Sequence, residues 1–414
     1  MTKSKPRIVI LDDVCDEITV GHVGPMADKY LPDGVPFLRS QNVRPFRFDP
    51  KEIKYVSPEF HSKLKKSALK PNDVVVTRTG ANVGQCCIIP KELPVANCSD
   101  LVILRASKEL APHYLMYLLN SPHGRASIDG DLAGAAQPHF NVGSAKRMEV
   151  ILPDLSTQRK IASILSAYDD LIENNLRRIK ILEEMARSLY REWFVHFAFP
   201  GHEAVPLIES PLGPIPKGWA VRSVDDVAIV HRGRSYRSKE LLDEVGVPFV
   251  SLKCIERDGG FRRDGIKCFD GPYKKTQQVQ VGDIVMAVTD MTQERRIVAR
   301  AARVPELGGG FGVISMDLVK IEARDAKISD FLYFYLRCSD FADHLKQYAN
   351  GANVLHLSPD KIRGHLFVMP TIEFALRYVR VVDLQFAKVE NLHQRNEILR
   401  QTRDLLLPKL LSGA

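Results

Sequence analysis

Apolar and polar positions alternate in a pattern that divides the chain into two similar halves. Short runs rich in Val and Ile, interrupted by Gly, Pro, Asn and Asp, predict β-strands in both halves. In the first half they cover residues 7–11, 73–77, 85–89 and 101–104, and in the second half residues 284–288 and 318–321. A short amphipathic helix is predicted after the strands of each half, near residues 112–119 and 329–336.

The two halves also align residue by residue. Residues 72–80, NDVVVTRTG, match residues 282–290, GDIVMAVTD, and a constant offset of 217 positions then carries Asp100 to Asp317, His139 to His356 and Pro153 to Pro370. Solenoid repeats span about 20–50 residues, so this much longer unit indicates a duplicated domain.

A long amphipathic helix is predicted to close each half. The first covers about residues 156–197, with Ser156 as its N-cap. One heptad row contains Ile161, Tyr168, Asn175, Leu182 and Leu189, the complementary row contains Ile164, Leu171 and Met185, and Ile172, Ile179, Ala186 and Trp193 flank them. The second covers about residues 372–411 and places Tyr378, Val382, Val389, Leu392, Leu399, Leu406 and Leu410 on one face.

Such stripes predict that the two helices pair, and polar residues in the seam, Asn175 and Gln385, would fix their register. Some 36 helical residues at about 1.5 Å each form a rod of about 50 Å. Paired rods could therefore hold two DNA-reading domains about one duplex turn apart, roughly 34–36 Å. The alternative is that each helix packs only on its own half. Residues 199–219, rich in Pro and Gly, are predicted to be a linker.

Composition narrows the possible functions. The 414 residues carry a net charge of +8, with 45% apolar and 26% charged residues, which is typical of a globular protein able to bind a polyanion. Seven cysteines without a CxxC pair indicate free thiols in a reducing compartment. The N-terminal sequence has no signal-peptide pattern and no long apolar run follows, so we expect a cytoplasmic protein without a membrane span.

The sequence contains no strong catalytic motif. A methyltransferase would need a glycine-rich cofactor loop and an Asn/Asp-Pro-Pro-aromatic motif, and an ATPase would need GxxxxGK[ST]; neither pattern is present. The glycines at 308–312 are predicted to form a turn. His139 and His356 lack a nearby Cys or carboxylate cluster, so no metal site is predicted. A loose acidic pattern, Asp33 with Glu52 and Lys54, leaves open a self-contained metal-dependent nuclease as an alternative.

Two segments resemble a known family. Residues 152–203, LPDLSTQRKIASILSAYDDLIENNLRRIKILEEMARSLYREWFVHFAFPGHE, followed by GPIPKGW at 213–219, resemble the central conserved region of type I restriction–modification specificity subunits, and the terminal RQTRDLLLPKLLSGA resembles that family's C-terminal end. The first half departs from the family pattern because it lacks a PKGW-type entry and begins directly at residues 7–14.

The resemblance implies an α+β fold with two repeated target recognition domains, separated by two long helices paired as an antiparallel coiled coil. The domains would be residues 1–154 and 200–371, with the helices at 155–199 and 372–414. It further implies a non-catalytic subunit that reads a bipartite asymmetric site in double-stranded DNA and assembles with two methyltransferase subunits and motor–nuclease subunits. S-adenosylmethionine, ATP and Mg²⁺ would be bound by those partners, with no cofactor in this chain. The remaining alternative is a coiled-coil scaffold that does not contact DNA.

Base-specific reading uses Arg or Lys on guanine and Asn or Gln on adenine, presented by loops that also hold phosphates. In the first half the predicted DNA-binding residues are Arg39, Gln41, Asn42, Arg44, Arg78, Thr79, Asn82, Gln137, His139 and Asn141. In the second half they are Arg232, Arg234, Tyr236, Lys253, Arg257, Thr289, Thr292, Gln293, Arg295, Arg296, Asn353 and His356. On the long helices, the predicted partner-binding residues are Leu171, Ile172, Ile179, Leu182, Leu189, Leu392, Leu399 and Leu406.

Overall fold

The computed structural model describes residues 6–80, 82–132 and 139–412. The chain forms two compact units. Unit 1 comprises Met1–Arg177 together with Leu392–Ala414, and unit 2 comprises Arg178–Asn391. Each unit therefore contains a globular part and a portion of both long helices.

Unit 1 is built around two four-stranded sheets. The first, entirely antiparallel, has the order Cys15–Val20, Leu101–Ala106, Val74–Thr77, Cys86–Ile88. The second has the order Lys54–Val56, Val35–Leu38, Ala96–Cys98, Ala68–Leu69, with its two central strands parallel. Two further antiparallel pairs are Arg7–Ile10 with Glu149–Leu152 and Val43–Arg44 with Arg47–Phe48. Its short α-helices are Pro58–Lys63, Pro112–Asn120, Pro122–Leu132 and Val142–Arg147.

Unit 2 repeats this plan. Its antiparallel sheet has the order Ala228–Arg232, Leu318–Ala323, Ile284–Ala287, Ala301–Arg303. Its second sheet has the order Leu241–Leu242, Lys267–Phe269, Val247–Val250, Gly312–Ile314, Gln278–Val279. Two-stranded pairs join Ala220–Ser223 to Leu366–Met369, Leu207–Ile208 to Ile215–Pro216, and Thr289–Asp290 to Leu355–His356. The short α-helices are Val224–Val227, Ser329–Cys338, Phe341–Leu345 and Pro359–Arg363.

The shared strand order confirms the predicted duplication. The first sheet has its equivalent strands in the same order in both units. The second sheet contains one parallel pair in each unit, Val35–Leu38 with Ala96–Cys98 and Val247–Val250 with Gly312–Ile314. The strand Arg7–Ile10 pairs with Glu149–Leu152 as Ala220–Ser223 pairs with Leu366–Met369. The first half therefore forms the equivalent entry strand without the PKGW sequence.

In each unit the first sheet is covered by a short helix whose central residues are buried. The helix Pro112–Asn120 buries six consecutive residues, Tyr114 to Leu119, and Ser329–Cys338 buries Phe331 to Cys338. Continuous burial of this kind requires packing on both sides of the helix, and each large apolar side chain so removed from water contributes about 1.5–3 kcal/mol. The Tyr114 hydroxyl donates to the Ile151 carbonyl at 2.7 Å and so remains hydrogen-bonded.

The long helices cover Leu155–Tyr190, continued by a π-helical turn at Arg191–Val195, and Ile372–Ser412. The predicted N-cap was wrong. Asp154, not Ser156, precedes the first helical residue, and its carboxylate accepts from the Thr157 amide at 3.0 Å and from the Thr157 hydroxyl at 2.7 Å. Two acceptor oxygens allow Asp154 to satisfy both donors, whereas Ser156 lies inside the first turn.

One predicted heptad row was also wrong. Ile164 and Leu171 are 45% and 54% exposed, whereas Leu165 and Ile172 are buried in unit 1. Met185 is likewise exposed in unit 2, where Ile179, Ala186 and Trp193 are buried. The seam therefore steps from Ile161 by four and then by three residues. The row through Ile164 contains the charged Arg178, which was the sequence signal against it.

On the second long helix the predicted face is correct. Tyr378, Val382, Val389 and Leu392 are buried. Leu399, Leu406 and Leu410 are half-buried. In unit 1, Asn175 lies against Asn396 and Asp169 against Arg403, so rising residue numbers on one helix meet falling numbers on the other and the helices are antiparallel. The structure pairs Asn175 with Asn396.

Candidate nucleic-acid interface

Strand ends bring three of the predicted loops of unit 1 to one edge. The Ser99 amide donates to the Leu38 carbonyl, the Arg78 amide to the Asp100 carbonyl, and the Phe140 amide to the Arg78 carbonyl, each at 3.0 Å. Arg39 follows Leu38 directly, and His139 precedes Phe140. These backbone bonds therefore place Arg39, Arg78, Thr79 and His139 on adjoining segments, which we call loop edge 1.

The two arginines of loop edge 1 are half-buried and incompletely paired. Arg39 donates through Nη2 to the Glu52 carbonyl at 3.0 Å, and its guanidinium carbon lies 5.7 Å from the Tyr30 ring centre. Arg78 approaches Asp100 only to 4.0 Å. Both Nε atoms are buried without a hydrogen-bond partner among the described residues. A buried Nε is out of reach of a ligand, but both side chains are partly exposed, so their remaining N–H groups can donate to a nucleic acid.

Unit 2 forms the matching edge with different side chains. The Ser315 amide donates to the Val250 carbonyl at 2.9 Å, the Val288 amide to the Asp317 carbonyl at 2.8 Å, and the Leu357 amide to the Val288 carbonyl at 2.8 Å. Loop edge 2 therefore consists of Ser251, Thr289, Asp290 and His356. Arg39 and Arg78 of unit 1 correspond structurally to Ser251 and Val288, so the two edges differ in donors at equivalent positions.

Asp290 organises the loop that follows loop edge 2. Its carboxylate accepts from the Thr292 amide and hydroxyl, both at 2.9 Å, and from the Ile297 amide at 2.8 Å. Burial by itself raises the pKa of Asp290, but these hydrogen bonds outweigh it and hold the pKa below its usual value. The charged carboxylate thus fixes the backbone from which Thr292 and Gln293 are exposed to solvent.

Sequence comparisons relate the chain to one family. Residues 9–184 match the sequence profile of the type I restriction modification DNA specificity domain. The MjaIX specificity subunit of Methanocaldococcus jannaschii is 25% identical over 307 residues, covering 72% of this chain and 68% of that protein. The HindI specificity subunit of Haemophilus influenzae is 21% identical over 412 residues, covering 84% and 87% respectively. The chain is therefore similar to type I specificity subunits over most of its length.

A solved structure shows the same fold. The S subunit of a type I restriction–modification system from M. genitalium superposes with a TM-score of 0.55 at 15% identity, covering 99% of this chain and 96% of that one. The predicted α+β class with long helices, and the predicted family resemblance, are therefore confirmed.

Three of the residues predicted to read DNA have structural roles instead. Asn42 is fully buried: its side chain accepts from the Arg39 amide and donates to the Asp49 and Lys51 carbonyls, all at 3.0 Å. Thr289 is buried, with its hydroxyl 3.4 Å from His356 Nδ1. Asn141 caps the helix Val142–Arg147 by accepting from the Ser144 amide at 2.9 Å. We therefore assign no base contact to these three side chains, although the backbone of Thr289 remains part of loop edge 2.

Other predicted contacts lie outside the two loop edges. Arg44 lies on the hairpin Val43–Arg44/Arg47–Phe48, 3.5 Å from Asp49, and Asn82 accepts from Gln85.

In unit 2, Arg234 donates to the Pro272 carbonyl, Tyr236 packs edge-on against Phe249, and Arg295 approaches the Gln347 carbonyl. Arg296 lies 3.9 Å from Glu294 and Gln293 donates to the Ala352 carbonyl. Gln41 is half-buried, whereas Arg232, Lys253, Arg257 and Asn353 are exposed. Gln137 lies outside the described residues.

The sequence reading missed residues that shape the edges. Gly21 and Gly233 occupy equivalent positions, where an added Cβ would lie 2.9 Å from the Cys98 carbonyl oxygen and 2.0 Å from that of Ser315. Such contacts exclude any side chain. Asp290 was missed as well, although an Asp two residues before Thr292 is typical of an Asx turn.

No group of three or more His, Cys, Asp or Glu side chains within residues 6–80, 82–132 and 139–412 is arranged to hold a metal ion. Nor is any helix in that part of the chain both long and apolar enough to cross a membrane.

Proposed function

We propose that the chain is the DNA-reading subunit of a type I restriction–modification complex and carries no catalytic site of its own. Each loop edge contacts one half of a bipartite, asymmetric sequence in double-stranded DNA. The observation that supports this most directly is the pair of matched edges: equivalent backbone bonds position Arg39 and Arg78 in one unit but Ser251 and Val288 in the other. Reading two unlike half-sites requires the same backbone arrangement with different hydrogen-bonding side chains.

The long helices are proposed to set the half-site spacing and to bind two methyltransferase subunits, which in turn assemble with the motor–nuclease subunits. Exposed apolar side chains are available for this on both helices. In unit 1 they are Ile164, Leu171, Ile398 and Leu405, and in unit 2 Ile181, Met185, Val381 and Leu384. We call these exposed apolar side chains the docking surface, and Leu171 remains part of it. Ile172, Ile179 and Leu392 are buried, while Leu182, Leu189, Leu399 and Leu406 are half-buried, so these act by holding the helices together.

S-adenosylmethionine, ATP and Mg²⁺ are proposed to be supplied by those partner subunits. The chain's task is then to present DNA to a methyltransferase, with Lys and Arg side chains providing salt-sensitive phosphate contacts.

Reconstitution tests the proposal. The chain is purified with and without the methyltransferase subunit, and duplex binding and genome-wide adenine methylation are measured. We expect tight, salt-sensitive binding from the complex and a bipartite methylated motif only when the chain is present. A chain that neither associates with the methyltransferase nor alters the methylated sites contradicts the proposal.

The docking surface has its own test. Leu171→Glu should weaken association with the methyltransferase at least ten-fold, because it places a charge among the exposed apolar side chains. The control Lys180→Glu places a glutamate at another exposed position of the same helix, with a charge change twice as large, and should leave association within two-fold. Equal effects of the two variants contradict the assignment.

A further inference from the structure

The duplication relates two buried contacts between a short helix and a long helix. The offset of 217 positions carries Tyr117 to Phe334, Asp169 to Phe386 and Arg403 to Ala186. Both contacts are formed in the structure, one in each unit. Their chemistry is opposite, since the unit 1 contact is polar and charged and the unit 2 contact is aromatic.

In unit 1 the Tyr117 hydroxyl donates to one oxygen of the Asp169 carboxylate, and Arg403 Nη1 donates to the other. Arg403 is only 8% exposed, and its guanidinium carbon lies 4.0 Å from the Phe46 ring centre. Phe46 in turn stacks on Tyr117 with ring centres 5.5 Å apart. Burial, with Asp169 adding to it, raises the pKa of the Tyr117 hydroxyl, which therefore stays protonated and donates.

In unit 2 the equivalent side chains are apolar. Phe334 is fully buried and packs on Phe386 with ring centres 4.9 Å apart. Tyr378 lies edge-on at 6.2 Å, and Ala186 is also fully buried. The guanidinium carbon of Arg303 lies 5.5 Å from the Phe334 ring centre. A hydroxyl on the Phe334 ring would lack the carboxylate and guanidinium that the equivalent helix residues supply in unit 1, and it would lose its hydrogen bonds to water.

We define the globular part of unit 1, residues 7–152, as reader 1 and that of unit 2, residues 220–369, as reader 2. We propose that the two contacts form a key that assigns each reader to its own pair of helices. Reader 1, with Tyr117, fits helices that present Asp169 and Arg403. Reader 2, with Phe334, fits helices that present Phe386 and Ala186. The key then decides on which helices each reader packs as the chain folds; calling these parts readers rests on the proposed function.

The key predicts what happens when the readers are exchanged. In a full-length chain with residues 7–152 and 220–369 transposed, Tyr117 would meet Phe386, and Phe334 would meet the Asp169–Arg403 pair. One hydroxyl would lose its acceptor, and one buried carboxylate would lose a donor. Adding Tyr117→Phe and Phe334→Tyr to the transposed chain removes both mismatches by moving a single oxygen atom.

The experiment compares four full-length chains: native order and transposed order, each with and without the two substitutions. Soluble yield, melting temperature and adenine methylation with the methyltransferase subunit are measured for all four. We expect the substitutions to raise methylation of the bipartite site at least ten-fold in the transposed chain, and to lower methylation and melting temperature in the native order. The key requires the two substitutions to have opposite effects in the transposed and the native chain.

A general effect of these residues on folding would give the same sign in both backgrounds, and that outcome overturns the key. So does a transposed chain that methylates the bipartite site fully without substitutions. If the native chain directs no methylation at all, the proposed function fails, and the melting temperatures of the four chains still decide whether the key exists.

Discussion

At the scale of single residues, His365 shows how burial sets a pH response. It lies half-buried in unit 2, with the Phe341 and His344 rings 4.9 and 5.2 Å away. Burial, with a smaller contribution from His344, lowers the pKa of His365 to about 4. The unfolded chain, in which the pKa is about 6.5, then binds more protons than the folded chain between these values.

We therefore predict that the free energy of unfolding falls as pH decreases from about 6.5 to about 4, with a contribution from His365 of at most about 3 kcal/mol. His365→Phe should flatten this part of the profile. Urea unfolding at several pH values measures it, and an unchanged slope in the variant would show that other groups cause the response.

Asn42 carries a second residue-scale prediction. Asn42→Ala removes three hydrogen bonds from a fully buried site, so we expect a loss of about 2–3 kcal/mol in stability. Its half-buried neighbour Gln41, changed to Ala, should cost less than about 0.5 kcal/mol. Thermal unfolding compares the two, and a stable Asn42→Ala protein with relaxed base preference would restore Asn42 to the interface. The residue type of Asn42 predicts base reading, and only the fold reveals that its side-chain amide closes a turn.

At the scale of elements, the long helices were predictable in extent but not in every contact. The helix predicted over 372–411 forms as Ile372–Ser412, because apolar side chains recur at helical spacing along its length. On the first helix, two apolar rows begin side by side at Ile164 and Leu165. The charged Arg178 is a sequence signal against the row of Ile164, and the final choice depends on the partner helix.

The buried pair Asn175 and Asn396 supplies the element-scale prediction. Their amides bond at 2.8 Å, with exposed fractions of 9% and 1%. Asn175→Leu alone should cost about 1–3 kcal/mol, because Asn396 Oδ1 loses its donor. Replacing both by Leu should be neutral or stabilising, while removing the polar constraint on register. Thermal unfolding of both singles and the double variant measures the coupling, and additive effects would contradict it.

At the scale of the whole molecule, the repeated sheet order follows from the sequence duplication, since aligned strands must pair alike. The identity of the exposed loop residues does not follow from it, because loops diverge without affecting the sheets. Arg78 and Val288 are equivalent in the backbone yet share no side-chain chemistry.

This divergence predicts independent half-sites. Arg78→Ala should reduce discrimination at one base of the half-site read by unit 1 by about 10–100-fold, the usual value of a bidentate Arg contact. Thr292→Ala with Gln293→Ala should alter only the other half-site. Mapping of methylated adenines reads both outcomes, and any variant that changed both half-sites would contradict the division between the units.

The second long helix also determines when each unit can finish folding during synthesis. Leu407 and Leu411 lie in the same core cluster of unit 1 as Leu11, Tyr114 and Leu165. A ribosome adding about 5–20 residues per second needs about 10–40 s to proceed from Arg177 to Leu392. Throughout that interval the apolar surface of unit 1 that receives this helix stays uncovered. The unit made first is therefore completed last, and chaperones that shield apolar surface have their longest opportunity to act on it.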